Sequence, residues 1–252
     1  MEPKDRIIVA LDVRFPEEAI SLARKLFSYV GCFKIGLQFS HAMLSSLINP
    51  GTESLALNNL RTIRELFKLL KGNILWDGKF NDIPNTVAGA SQEVAKLGVK
   101  MFTVHASAGK EAVVRAVENK GNSLVLGVTV LTSIDEEECC SIFGKGPKEK
   151  VLEFARLLEE AGADGIICSP QELKVLVNSG SRLLRIIPGV RPEWASKADQ
   201  KRVMTPSEAI KEGANYLVIG RPIRNPPKEI GGPVGAVKKI EEEIASAFRE
   251  IR

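Results

Sequence analysis

Short apolar runs recur along this chain with almost no polar alternation inside them, and stretches of helical period separate one run from the next. The runs are Ile7 to Leu11, Cys32 to Ile35, Ile74 to Trp76, Met101 to Val104, Leu124 to Val130, Gly165 to Cys168, Leu183 to Ile187 and Tyr216 to Ile219. Each is rich in Val, Ile or Leu, the pattern of strands buried on both faces. Helical patterns occupy Pro16 to Tyr29, Leu60 to Lys71, Thr86 to Leu97, Gly109 to Asn119, Lys148 to Ala161 and Gln171 to Val177, and a last one at Val234 to Phe248 closes the chain. Strict alternation of strand and helix requires parallel strands joined by right-handed crossovers. Eight such units in 252 residues fit one (β/α)8 TIM barrel, a single domain spanning 1–252. An open doubly wound sheet is the alternative, but no Gly-x-Gly-x-x-Gly follows the first run. No internal repeat, low-complexity linker or composition break divides the chain further.

In a barrel the working face lies at the carboxyl ends of the strands, so polar residues there carry more weight than polar residues elsewhere. Asp12 ends the first run, Lys34 sits in the second, Asp77 and Lys79 end the third, His105 ends the fourth, and Thr129 to Ser133 end the fifth. The third is the most informative, because Asp77-Gly-Lys-Phe-Asn-Asp-Ile-Pro-Asn-Thr86 puts charge where a buried strand finishes. Asp77 and Lys79, two apart, share one face of an extended strand, while Asp82 stands beyond it on the way to the next helix. An unpaired buried charge costs roughly several kcal/mol, so Lys34, Asp77, Lys79 and Asp82 are expected to alternate in sign within reach of one another. Such a chain presents a protonated lysine to a reacting carbon while an aspartate faces substrate charge; the alternative is a structural ion-pair plug. Asp12 is too far ahead of Phe15 and Pro16 to cap the first helix.

Gly220-Arg221 follows the eighth run, where many barrels bind phosphate through backbone N–H groups and a basic side chain; an ordinary tight turn is the alternative. Pro188-Gly-Val-Arg191 after the seventh run would supply the other half of such a site, with Asp199-Gln200-Lys201-Arg202 either a contributor or a solvated loop. Two long connections, Leu131 to Pro147 and Pro188 to Pro206, are expected to hang over the barrel mouth as binding loops without regular structure. His105 has no carboxylate placed by sequence to orient it, so it reads as a site-lining or structural residue and not as a general base. Trp76 reads as core, and Cys139-Cys140 as incidental residues on a loop.

Composition narrows the ligand class. The net charge of +4 comes from scattered Lys and Arg offset by Asp and Glu, with no basic tract interleaved with aromatics, so nucleic acid is not an expected partner. Four cysteines without Cys-x-x-Cys spacing and only two histidines supply a metal site poorly, and the thiols fit a reducing cytoplasm. The charged amino terminus and the short apolar run after it read as neither signal peptide nor membrane span, so a cytoplasmic location is expected.

Several segments together resemble the orotidine 5′-phosphate decarboxylases of the bacterial type. They are Ile-Val-Ala-Leu-Asp12, Phe-Lys34-Ile-Gly, the decapeptide from Asp77 to Thr86, Val-Thr-Val-Leu-Thr132-Ser, Pro-Gly-Val-Arg191-Pro, Asp-Gln200-Lys-Arg-Val-Met-Thr-Pro and Val-Ile-Gly220-Arg221-Pro. The decapeptide is highly specific, whereas Gly-Arg alone is weak. The stretch Gly-Thr-Glu-Ser-Leu-Ala-Leu at 51–57 lengthens a helical connection away from these motifs. The resemblance implies decarboxylation of orotidine 5′-monophosphate to uridine 5′-monophosphate in pyrimidine synthesis, with neither metal nor organic cofactor. Within it, Lys79 would stabilise charge at the pyrimidine carbon and deliver a proton, with Asp77 facing the departing carboxylate and acting either by ground-state repulsion or by holding Lys79. Lys34 and Asp12 would bind ribose hydroxyls, Thr132 the pyrimidine, and Arg191, Gln200, Gly220 and Arg221 the phosphate. Asp82 and Ile83 would reach into the neighbouring subunit's site, making the enzyme an obligate homodimer, and Thr86 of the same motif would be among the substrate-binding residues. The rivals are a magnesium-dependent sugar-phosphate decarboxylase or aldolase on the same barrel, and a phosphate-ligand-binding protein without turnover.

Overall fold

A computed structural model describes residues 1–195 and 204–251. Eight parallel strands close into a barrel in sequence order: β1 (Ile7–Ala10), β2 (Cys32–Gly36), β3 (Ile74–Phe80), β4 (Met101–His105), β5 (Leu124–Val128), β6 (Gly165–Ile167), β7 (Leu184–Pro188) and β8 (Tyr216–Ile219), with β8 pairing back onto β1. The helices are α1 (Pro16–Leu26), α2 (Leu37–Ile48), α3 (Glu53–Leu69), α4 (Pro84–Lys96), α5 (Lys110–Glu118), α6 (Glu136–Phe143), α7 (Pro147–Glu160), α8 (Leu173–Asn178), α9 (Pro206–Lys211), α10 (Arg221–Arg224) and α11 (Gly232–Ile251). Among the described residues no helix is long and apolar enough to cross a membrane. The (β/α)8 expectation is borne out.

Local chemistry explains the units. In α1, Pro16 opens the helix, Glu17 and Glu18 sit in its first turn, Arg24 and Lys25 in its last, and Ala19, Ile20, Ala23 and Leu26 form the buried stripe. That charge order complements the helix dipole. The strands alternate within their all-apolar runs: outward residues such as Ile7, Val9, Phe33, Ile74 and Phe102 pack under the helices. Inward residues Ile8, Cys32, Leu75, Met101, Leu126, Ile186 and Tyr216 meet in a second cluster that plugs the barrel. Leu75 is fully buried in this plug, where truncation to Ala costs about 2–5 kcal/mol. The plug sets the floor of the site, since two residues further along each strand the same inward face carries Lys34, Asp77 and Thr103.

Several expectations need correction. The third strand does not stop at Trp76 but runs to Phe80, so Asp77 and Lys79 belong to it. The connection from Leu131 to Pro147 is not irregular, because α6 forms inside it, capped by Asp135 accepting the N–H of Glu138 and closed by Gly144 in the left-handed conformation at φ 73°. Cys139 and Cys140 therefore lie on a helix, with Cys139 buried. Helices α2, α9 and α10 were also outside the expected set, and the pattern at Gln171 to Val177 divides into a 3-10 turn, Pro170–Glu172, followed by α8.

Candidate active site

Three adjacent strands bring alternating charges to the barrel mouth. Lys34 on β2 extends its ammonium between two carboxylates, 3.0 Å from Asp12 Oδ1 and 3.5 Å from Asp77 Oδ2. Lys79 Nζ donates to that same Asp77 Oδ2 at 2.6 Å. The order in space is therefore Asp12, Lys34, Asp77, Lys79. Close packing at Gly36 supports it, because a Cβ there would lie 2.6 Å from Lys34 Nζ and displace the ammonium from its carboxylates.

Asp77 is the hub, with only 6% of its surface exposed. Burial pushes its carboxyl upward, but the Lys34 and Lys79 ammoniums outweigh that, helped by hydrogen bonds from Lys79 and Thr103, and hold it below the usual carboxylate range. Thr103 Oγ1 donates to Asp77 Oδ1 at 3.1 Å, so both oxygens have donors. His105, one layer further out on β4, is pushed down by burial and then by the Lys79 charge, against a smaller opposing pull from Asp77. The shift favours the neutral imidazole over a second cation.

The backbone at Lys79 departs from the extended strand assumed from its spacing. Lys79 has φ of 48°, the one positive value among the described non-glycine residues, at a register shift in β3 between Trp76 and Phe80. Such a conformation costs about 1–3 kcal/mol and persists only where its surroundings over-determine it. Gly78 is required beside it, since a Cβ there would meet the Phe80 ring at 2.8 Å and Trp76 Nε1 at 2.9 Å. Trp76 itself packs against the core, as expected.

A cavity of about 200 Å³ opens above this array, its polar floor formed by Lys34, Asp77 and Lys79 and its wall by apolar residues together with Thr132. A neighbouring cavity of about 170 Å³ shares Lys34, Pro188 and Val218 with the first and is lined further by Asp12, Arg191, Gly220, Arg221 and Arg224. One end is thus apolar with a charged floor; the other gathers three arginines. Gly189, at φ 78°, turns the chain after β7, and Arg191 N–H donates to Met204 O at 2.9 Å. Sequence reasoning missed Arg224, whose Nη1 donates to the backbone oxygen of Asp12 at 2.7 Å, and Thr103.

Among the described residues, Asp82, Ile83 and Thr86 line neither of these two cavities. They stand exposed at the start of α4, where Asp82 Oδ1 accepts the N–H of Ile83 at 2.7 Å. Gln200 lies outside the described residues. As for metal ligation, among the described residues no group of three or more His, Cys, Asp or Glu is placed to hold an ion.

Known proteins are similar to this chain over nearly all of it. Residues 5–239 match the Orotidine 5'-phosphate decarboxylase / HUMPS family. An orotidine 5'-phosphate decarboxylase of Heliobacterium modesticaldum is 39% identical over 264 residues, covering 98% of this chain and 99% of its own. That of Gloeothece citriformis is 42% identical over 249 residues, with 96% and 98% covered. The crystal structure of orotidine 5'-phosphate decarboxylase from Lactobacillus acidophilus aligns with a TM-score of 0.69 at 29% identity, over 94% of this chain and 98% of that one.

Proposed function

The chain belongs to the Orotidine 5'-phosphate decarboxylase / HUMPS family, and from that membership we propose that it decarboxylates orotidine 5′-monophosphate to uridine 5′-monophosphate and CO2 in pyrimidine biosynthesis. The observation that carries the reading to these residues is the buried Asp77 flanked by Lys34 and Lys79 on the floor of the cavity. The pyrimidine enters the apolar cavity with its carboxylate toward this floor, Thr132 meets the ring, and Asp12 and Lys34 meet the ribose. Arg191, Gly220 and Arg221 take the phosphate, with Gln200 assigned to it by the motif alone. The bond from ring carbon to carboxyl carbon breaks, its electron pair stays on the ring carbon, and Lys79 Nζ gives that carbon a proton.

No cofactor is assigned. Charge on the ring carbon has no conjugated sink, so the stabilisation falls to electrostatics already in place. Two unit charges about 4 Å apart at an effective dielectric near 20 interact by about 4 kcal/mol, or about a thousandfold in rate. Lys79 alone is therefore insufficient, and binding energy from the remote phosphate has to help organise the reacting centre. Asp77 acts in this reading chiefly by holding Lys79; the 2.6 Å contact and the two further donors on the same carboxylate support that role. Asp82, Ile83 and Thr86 are assigned to the partner's site in a homodimer, a role supported by their exposure in their own chain. Neither nucleic acid nor membrane belongs to this reading, and the cytoplasm is the compartment that fits the free cysteines.

The test is the fall in orotidine 5′-monophosphate absorbance on adding purified protein, with and without prolonged EDTA treatment. Turnover in both samples is expected. Absence of turnover removes the reading, and turnover lost to EDTA and restored by magnesium favours a metal-dependent relative.

A further inference from the structure

Thr103 sits on β4, wholly buried, where an apolar side chain would be the ordinary occupant. In the β3–β4 ladder Trp76 faces Phe102 and Phe80 faces Val104, so the three residues 77–79 of one strand lie opposite Thr103 alone. Lys79 donates its backbone N–H to Thr103 Oγ1 at 2.8 Å. The same oxygen carries the hydrogen bond to Asp77 Oδ1 at 3.1 Å. Both directions are forced, since an amide N–H only donates and an ionised carboxylate only accepts. Asp77 Oδ2 in turn receives Lys79 Nζ. One hydroxyl thereby closes a ring through the backbone of Lys79, the carboxylate of Asp77 and the ammonium of Lys79.

We infer that Thr103 is a positioning residue for the proposed decarboxylation: its hydroxyl holds Lys79 in the left-handed turn and aims Asp77, fixing the ammonium over the cavity floor. The inference rests on the reading of Lys79 as the proton donor. Substitution by Val keeps the shape of Thr, yet it leaves the part-buried Lys79 N–H without its acceptor and Asp77 Oδ1 without its donor. The turn at Lys79 is then free to relax toward the extended conformation that lysine prefers. A shift of about 1 Å in the reacting group corresponds to about 10²-fold in rate.

The experiment compares wild type, Thr103→Val and Thr103→Ser in turnover of orotidine 5′-monophosphate and in the NMR titration of the Asp77 carboxyl. Thr103→Val is expected to lower kcat by about 10²-fold with KM little changed. It should also raise the Asp77 titration point, because one stabilising donor to the charged form is gone. Thr103→Ser, which keeps the hydroxyl, should recover most of both. Wild-type kcat in Thr103→Val, a loss confined to KM, or equal damage in Thr103→Ser overturns the inference. A wild type that does not decarboxylate this substrate sinks the functional reading instead, and the Asp77 titrations still decide the role of Thr103. If Thr103→Val yields no folded protein, amide exchange of the wild type decides: a slowly exchanging Lys79 N–H supports the bond to Thr103, and an unprotected one overturns it.

Discussion

Lys79 carries a strained backbone and an ammonium locked to Asp77, which places its cost in the folded state and its return in the proposed transition state. Lys79→Ala is expected to abolish turnover while product-like nucleotides still bind through the arginine-lined end. Isothermal titration with uridine 5′-monophosphate beside a turnover assay checks the separation, and substantial decarboxylation by the variant would remove Lys79 from the central role. His105 gives a pH prediction. Its folded-state value is lowered by burial and then by Lys79, so as pH falls through about 6.5 the unfolded chain takes up a proton before the folded one. Stability should thus drop from pH 7 toward pH 5, and His105→Gln should flatten that part of the melting-temperature profile. An unchanged profile would mean that His105 titrates alike in both states. Residue type and place made Lys34, Asp77 and Lys79 legible, because charge at the end of an apolar run has few structural uses. Thr103 was hidden because a β-branched residue inside a strand needs no further reason to be there, and Arg224 because only folding brings it to Asp12.

At the scale of elements, the eight strands were legible since barrel strands are buried on both faces and each reads as a short apolar run. The helices that escaped are those whose pattern is weak. α2 leaves Leu37, Leu44 and Ile48 exposed beside buried Phe39 and Met43, so no clean amphipathic stripe marks it. α6 is short, and its acidic opening resembles a solvated loop, although Asp135 followed by Glu136, Glu137 and Glu138 is also what a helix amino terminus favours. That cap leads to a prediction. α6 follows directly on Leu131 and Thr132 of the cavity wall, and its one buried residue is Cys139. Asp135→Ala should lower the unfolding free energy by about 1 kcal/mol, whereas Asp135→Asn, which still accepts the amide, should lower it by much less. Urea denaturation of the three proteins checks this; equal effects of Ala and Asn would show that charge, and not the hydrogen bond, stabilises the helix.

For the molecule as a whole, the same decapeptide supplies residues to two different places. Asp77 and Lys79 face the cavity of their own chain, whereas Asp82 and Ile83 stand away from it, with Ile83 66% exposed despite being large and apolar. Residue spacing placed Asp82 past the strand end, and only the family resemblance assigned it to a neighbour's site, since one chain's sequence does not record a neighbour's surface. In the proposed homodimer each site takes Lys79 from one chain and Asp82 from the other, and an isologous interface makes the two sites equivalent. Lys79→Ala and Asp82→Ala homodimers should then each be nearly inactive, every site lacking one group. In a mixed dimer the Lys79→Ala subunit lends its intact Asp82 to the partner's intact Lys79, leaving one whole site and one that lacks both groups. With random exchange of equal amounts, about half of the dimers are mixed and activity should return to about a quarter of wild type. Activity measured after subunit exchange, verified by differential tagging, is the check. No recovery would mean that Asp82 serves its own chain or that the two sites do not work independently.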